Sequence, residues 1–302
     1  IDLYKGSEDL NNKCIRILHP RSFIDDPTRI LRAVRFEQRL GFQIEAKTLR
    51  CLKDSIRKNL DLKVKPPRHF AEFKKFFLEA DVSKHVARIK ELRGVRVLDS
   101  RGNIDLETLN VVVERVKTIR QNKDYDKAGR WWPIYFFSLL EKKNTHQLEK
   151  LSKEVQLDNF LSLSLMQIRE CQSVIRQLTN KAKRDSEIYQ LLKPFTELAL
   201  LYFYARTDNG LAIKRIDDFV SIFSHITLDV NGDDLKNMGY PSTDVIGQAL
   251  ELLLLKKIDK KLAAKKDELK EAQILLKRRF SRNMENMNGT NRSGESRSEE
   301  GS

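Results

Sequence analysis

Apolar residues recur at helical spacing along almost the whole chain, and one segment has both of its ends marked as well. Asp25-Asp26-Pro27-Thr28-Arg29 opens a run that continues through Leu40 and closes at Gly41. Asp26 suits an N-cap, Pro27 the first helical position, and Gly41 the residue beyond the last turn. At about 100° per residue, Ile30, Ala33, Val34, Phe36 and Leu40 form one wide buried face. Residues 1–24 have no helical period and carry loop residues such as Gly6, Asn11, Asn12 and His19-Pro20. Within them, 15–18 read as a short strand or extended lead-in.

Further helices are expected at 46–56, with Leu49, Leu52 and Ile56 inward, and from Arg68, burying Phe70, Phe73, Phe76 and Phe77. Pro66-Pro67 marks the break between these two. A helix over 85–92 ends at Gly94. Val95–Leu98 then leads into a loop at 100–103, and from Leu106 the pattern is almost wholly helical. Residues 131–140 are nearly continuous apolar, too short for a membrane span and suited to a central core helix. Single helices are expected over 145–155, 157–179 and 186–205. Asp208-Asn209-Gly210 makes a turn before a helix through 223. Near the end, the aspartates after Asn231-Gly232 cap a short helix closed by Gly239. Ser242 or Thr243 starts a helix to 255, a last helix reaches about 280, and 281–302 read as a disordered tail. The sequons at Asn288 and Asn291 read as chance.

Charge alters this picture more than composition does. The 302 residues are 33% charged and carry a net charge of +14, which favours a polyanionic partner, nucleic acid ahead of membrane. Cys14, Cys51 and Cys171 form no CxxC pair. They suit a reducing, cytoplasmic compartment as buried small residues rather than a disulfide frame or zinc site.

On the organising helix, Arg32, Arg35 and Arg39 gather on the polar side. Arg29 lies in line with Ala33, Phe36 and Leu40, and should lean back toward Asp25 and Asp26. A guanidinium beside a carboxylate complements a base edge with an amino group next to a ring nitrogen, as in cytosine or adenine. Uracil and guanine present the opposite order. The plainer alternative is that Asp26 only caps the helix while Arg29 pairs with Asp25.

The run from Gly6-Ser7-Glu8-Asp9-Leu10 through Ile15-Arg16-Ile17-Leu18-His19-Pro20-Arg21-Ser22-Phe23-Ile24 and the helix to Leu40 resembles the class II tRNA nucleotidyltransferases. These are the CCA-adding and A-adding enzymes and the related bacterial poly(A) polymerases. The resemblance implies that Asp26 and Arg29 read the incoming base, with Asp25 where the family has glutamate. It assigns Arg68 and Glu72, at i and i+4, to the next motif, which braces the neck; an ordinary helix ion pair is the alternative. Gly232-Asp233-Asp234-Leu235, Gly239 and Gly247 resemble the C-terminal Gly-x-Asp-Leu segment, although Ser242-Thr243 stands where the family has Pro-Gly.

The implied fold class is all-α: a helical neck, body and tail lacking the family's α/β catalytic head. The chain divides into a linker at 1–24, a neck at 25–62, a body at 63–225, an RNA-binding tail at 226–280 and the disordered end. Polymerases of this kind hold Mg2+ on two or three sheet carboxylates. Here the only Asp-x-Asp is Asp124-Tyr125-Asp126, in a polar linker without a preceding strand or Gly-rich turn. With Ile1 rather than Met at the start, the expectation is a C-terminal portion, inactive alone, of a CCA-adding enzyme. Its head, in cis or trans, would supply the Mg2+ ligands, with ATP and CTP as substrates and tRNA as partner. Arg32, Arg35, Arg39, Lys256, Lys257, Lys260, Lys261, Lys265 and Lys266 are the expected phosphate contacts. A poly(A) polymerase, a free-standing RNA-binding subunit and a helical scaffold are the alternatives.

Overall fold

The computed structural model describes residues 2–94, 98, 104–121, 131–240 and 243–277. Asp124-Tyr125-Asp126, Pro241-Ser242, most of the Val95–Leu98 lead-in and the 281–302 tail lie outside them. The chain forms two compact units, Ile1–Gln177 with Phe195–Ala212, and Leu178–Pro194 with Ile213–Ser302. Along the chain, the last crossing from the first unit to the second falls at 212–213. The excursion 178–194 joins the second unit because α12 (Asp185–Leu192) packs on α16 (Thr243–Ile258).

In the first unit, 1–24 holds the short strand expected near 15, and helical turns that were not expected. It contains α1 (Gly6–Asn11) and α2 (Ser22–Asp25), helices too short to show a period. Both carboxylate oxygens of Asp2 accept from amides that open α1, at Gly6 and Ser7. β1 (Cys14–Ile15) pairs in parallel with β2 (Gln43–Ile44), Cys14 opposite Gln43 and Ile15 opposite Ile44. The fold is thus mostly helical with two very short strands among the described residues.

Between these strands runs α3 (Arg29–Leu40), ended by Gly41 at φ +66°, a left-handed conformation that glycine adopts without penalty. α4 (Ala46–Arg57), α5 (Pro66–Lys74) and α6 (Val82–Glu91) follow, with a 3₁₀ turn at Lys75–Leu78 after α5. α3 packs on α6, α6 on α7 (Leu106–Gln121), and α7 on α8 (Trp132–Ser138) and α13 (Glu197–Arg206). An aromatic core fills this unit. Phe70 and Phe136 lie 4.9 Å apart, Phe73 touches Phe76 and Phe77, and Phe137 meets Tyr202 edge-on.

Two helices expected to be continuous are interrupted. Residues 157–179 divide into α10 (Asn159–Gln167), a 3₁₀ turn at Ile168–Glu170 and α11 (Cys171–Leu178). The turn begins where Gln167 accepts from the Thr196 amide, and Arg169 donates to the carbonyl of Lys143. Residues 186–205 divide at Pro194, which has no N–H and clashes with the carbonyl four residues back. Thr196 then caps α13 through the Ala199 amide. α9 (Thr145–Glu154) has an Asn144–Gln147 capping box. α14 (Gly210–Ser221) follows the turn at 208–210.

The second unit buries Leu235, Tyr240, Ile246, Ala249, Leu253 and Ala272. α15 (Gly232–Asn237) is capped by Asn231, which accepts from the Asp233 and Asp234 amides, while Asp234 returns a bond to Asn231. The cap is therefore the asparagine rather than the aspartates. α17 spans 265–277. Its Glu268 is fully buried and satisfied by the Asp229 and Val230 amides and by Lys257.

Candidate functional site

The start of α3 gathers the residues of interest. Asp26 is extended, at φ −145° and ψ 94°, and its Oδ1 accepts from the Thr28 amide at 3.1 Å and the Thr28 hydroxyl at 2.6 Å. The expected cap is not formed: Asp26 closes a turn onto Thr28, and Thr28, which makes no side-chain cap bond, immediately precedes the helix. Regular helix begins at Arg29, after one tight turn closed by Arg29 N–H to the Asp26 carbonyl, so Pro27 lies in that turn and not at the first helical position. Arg29 leans back as its position on the helix requires, with Nε 3.9 Å from Asp26 Oδ2.

A second arginine meets the same oxygen. Arg68, near the start of α5, donates from Nη2 to Asp26 Oδ2 at 3.0 Å. Partial burial of Asp26 pushes its pKa up, but the Thr28 hydrogen bonds and the charges of Arg68 and Arg29 outweigh it. The carboxyl is held below its usual range. Asp26 is therefore an ionised acceptor at neutral pH, between two exposed guanidinium groups.

Asp25 does not join them. It lies 3.7 Å from Arg21 and 3.9 Å from His19. Nor do Arg68 and Glu72 form the expected pair, because Arg68 turns to Asp26 and Glu72 takes Lys75 at 2.6 Å.

The arginine stripe also divides. Arg35 is largely buried, donates to Glu79 at 2.8 Å and stacks on Phe36; Arg39 approaches the same carboxylate at 3.9 Å. Arg32 is exposed, with no carboxylate partner among the described residues. On the apolar face, Leu40 is 48% exposed while Leu31 is buried. Glu37 is buried too and forms a two-pronged pair with Arg88 of α6, at 2.8 and 3.0 Å. Its position was readable, since 37 falls on the row of Ile30 and Val34, but its residue type argued against burial.

In the second unit, most of the lysines between 256 and 266 are engaged by carboxylates. Lys256 pairs with Glu271, and Lys257 with Asp229 at 2.8 Å and Glu268 at 2.7 Å. Lys265 meets Asp234 at 3.1 Å and Lys261 lies 3.7 Å from Asp259. Lys260 and Lys266 are exposed.

Among the described residues, no group of three or more His, Cys, Asp or Glu side chains converges to hold a metal. Of the cysteines, Cys171 is buried and its thiol pKa is pushed up by burial, whereas Cys14 and Cys51 are only half-buried. No helix among the described residues is long and apolar enough to cross a membrane.

The start of α3 thus holds an ionised carboxylate between two arginines, in a mostly helical array. Similar proteins are known. No protein-family profile matches the chain. An A-adding tRNA nucleotidyltransferase of Geobacter sulfurreducens is 28% identical over 280 residues, which are 90% of this chain and 32% of that protein. The Thermotoga maritima CCA-adding enzyme, solved in complex with tRNA, superposes with a TM-score of 0.73 at 25% identity, covering 91% of this chain and 67% of its own. A CCA-adding enzyme solved with CTP gives a TM-score of 0.75 at 25% identity, covering 91% and 66%. Over most of its length the chain is similar to A-adding and CCA-adding tRNA nucleotidyltransferases, and it spans about a third of the Geobacter protein.

Proposed function

We propose that this chain is the base-reading and tRNA-binding part of a cytoplasmic nucleotidyltransferase that adds CCA, or part of it, to tRNA 3′ ends. The observation that carries the reading is the convergence of Asp26, Arg29 and Arg68 at the start of α3. Asp26 Oδ2 accepts from the base amino group and Arg29 donates to the neighbouring ring nitrogen, so cytosine and adenine fit and uracil and guanine do not. A catalytic head, in cis or in trans, supplies the carboxylates and Mg2+ for transfer from ATP or CTP. Residues of this chain orient the base.

The test uses the enzyme assembled from this chain and its head. Asp26→Ala and Arg29→Ala are each expected to lower selectivity for CTP and ATP over UTP and GTP by about 1–3 kcal/mol, with tRNA affinity kept. Variants that only lower stability, with nucleotide choice intact, would leave Asp26 as a turn residue and nothing more.

A further inference from the structure

Arg215 is 9% exposed, and its guanidinium is met by carbonyls rather than by a carboxylate among the described residues. Nη1 donates to the Leu178 carbonyl at 2.7 Å and the Asn180 carbonyl at 2.8 Å, and Nη2 to the Lys183 carbonyl at 3.0 Å. One planar fork thus gathers the end of α11 and both ends of the turn that follows. The turn is fixed locally as well, since the Ala182 amide donates to Asn180 Oδ1 and the Lys183 amide to the Asn180 carbonyl.

A second buried charge ties this loop to the end of α16. Asp259 accepts from the Ser186 amide at 2.9 Å and hydroxyl at 3.0 Å, and lies 3.6 Å from Arg184 and 3.7 Å from Lys261. The surface so assembled carries Lys181, Lys183, Arg184, Lys260 and Lys261. Arg184 is occupied by Glu187 and Asp259. Lys181, Lys183 and Lys260 form no ion pair among the described residues.

We infer that the 179–184 loop and the end of α16 form a binding surface for an RNA sugar-phosphate backbone, held in place by Arg215 and Asp259. This rests on the proposed tRNA-binding function and adds the residues that serve it. A loop ordered in advance keeps its lysines displayed without a further ordering cost on binding. Arg215, hydrogen-bonded only to neutral carbonyls, leaves its charge uncancelled beneath them. The surface differs from the one expected from lysine doublets alone, because Lys256 and Lys257 are engaged by carboxylates of their own unit.

The experiment measures binding of an unmodified tRNA to the full 302-residue chain between about 50 and 200 mM salt, beside vesicles of anionic phospholipid. For Lys181→Ala/Lys183→Ala/Lys260→Ala, the slope of log affinity against log salt should flatten by about 2, at roughly 0.7–0.9 for each phosphate no longer neutralised. Arg215→Lys keeps the charge but cannot span three carbonyls. It should weaken tRNA binding several-fold with the slope nearly kept and the circular dichroism unchanged. A steep wild-type slope that the triple variant leaves untouched would overturn this surface while the tRNA-binding reading stands. Absence of salt-sensitive tRNA binding in the wild type would overturn both. Tighter binding to the vesicles than to tRNA, abolished in the triple variant, would reassign the surface to membranes.

Discussion

Asp26 Oδ1 is taken by Thr28 and Oδ2 by Arg68, so a base amino group approaching Oδ2 must displace or share that arginine. Arg68 and Asp26 form an exposed pair at 3.0 Å, of a kind that contributes about 1 kcal/mol or less. In the assembled enzyme, Arg68→Ala is therefore expected to lower KM for CTP and ATP together, by up to about fivefold, while lowering stability by no more than the same ~1 kcal/mol. Steady-state kinetics with each triphosphate checks this; a raised KM would make Arg68 a partner of the base instead. The lowered pKa of Asp26 has a signed consequence for stability. A carboxyl whose folded pKa lies below its unfolded value contributes stability above about pH 4, which is lost as pH falls through the folded value. Asp26→Asn should thus unfold more easily than wild type near neutrality. In urea titrations the difference should shrink steadily below about pH 4.

At the scale of single elements, α3 shows what local chemistry reveals and what it hides. Its glycine end and the backward lean of Arg29 follow from neighbours in sequence and are legible there, whereas its start is not: the Asp26 side chain turns onto Thr28 and regular helix waits until Arg29. The Arg68–Asp26 pair spans 42 residues and the Glu37–Arg88 pair 51, so neither has a local signature. Leu40 reads as inward by type and sits outside, whereas Glu37 reads as outward and sits inside, because its partner comes from α6. Pro194 was in plain view as a helix break. The apolar run continues on either side of it, through both helices, and so reads as one element. Glu37→Ala removes the two-pronged bond and leaves Arg88 only the exposed Glu91, so it should cost about 2–3 kcal/mol in urea unfolding. Gly41→Ala forces an alanine to φ +66°, with no atom near the added carbon, and should cost about 1–2 kcal/mol through backbone strain alone.

At the scale of the whole molecule, the charge excess was legible but its distribution was not. Lysine doublets near the C-terminus suggested one basic surface, and the structure commits several of them to carboxylates brought in from other segments of the same unit. The helical class was readable from the period, while the division into units was not, because 178–194 packs against residues more than fifty positions further along. Thr28 carries one more consequence. By holding Oδ1 it leaves Asp26, in the base-reading role proposed above, a single oxygen with which to question a base. A reader built from that oxygen and one guanidinium transmits one binary distinction: amino group beside ring nitrogen, or the reverse. Four letters fall into two classes, with cytosine and adenine in the same one. Spelling C, C and A in order then demands a second symbol, entered by contacts other than this fork.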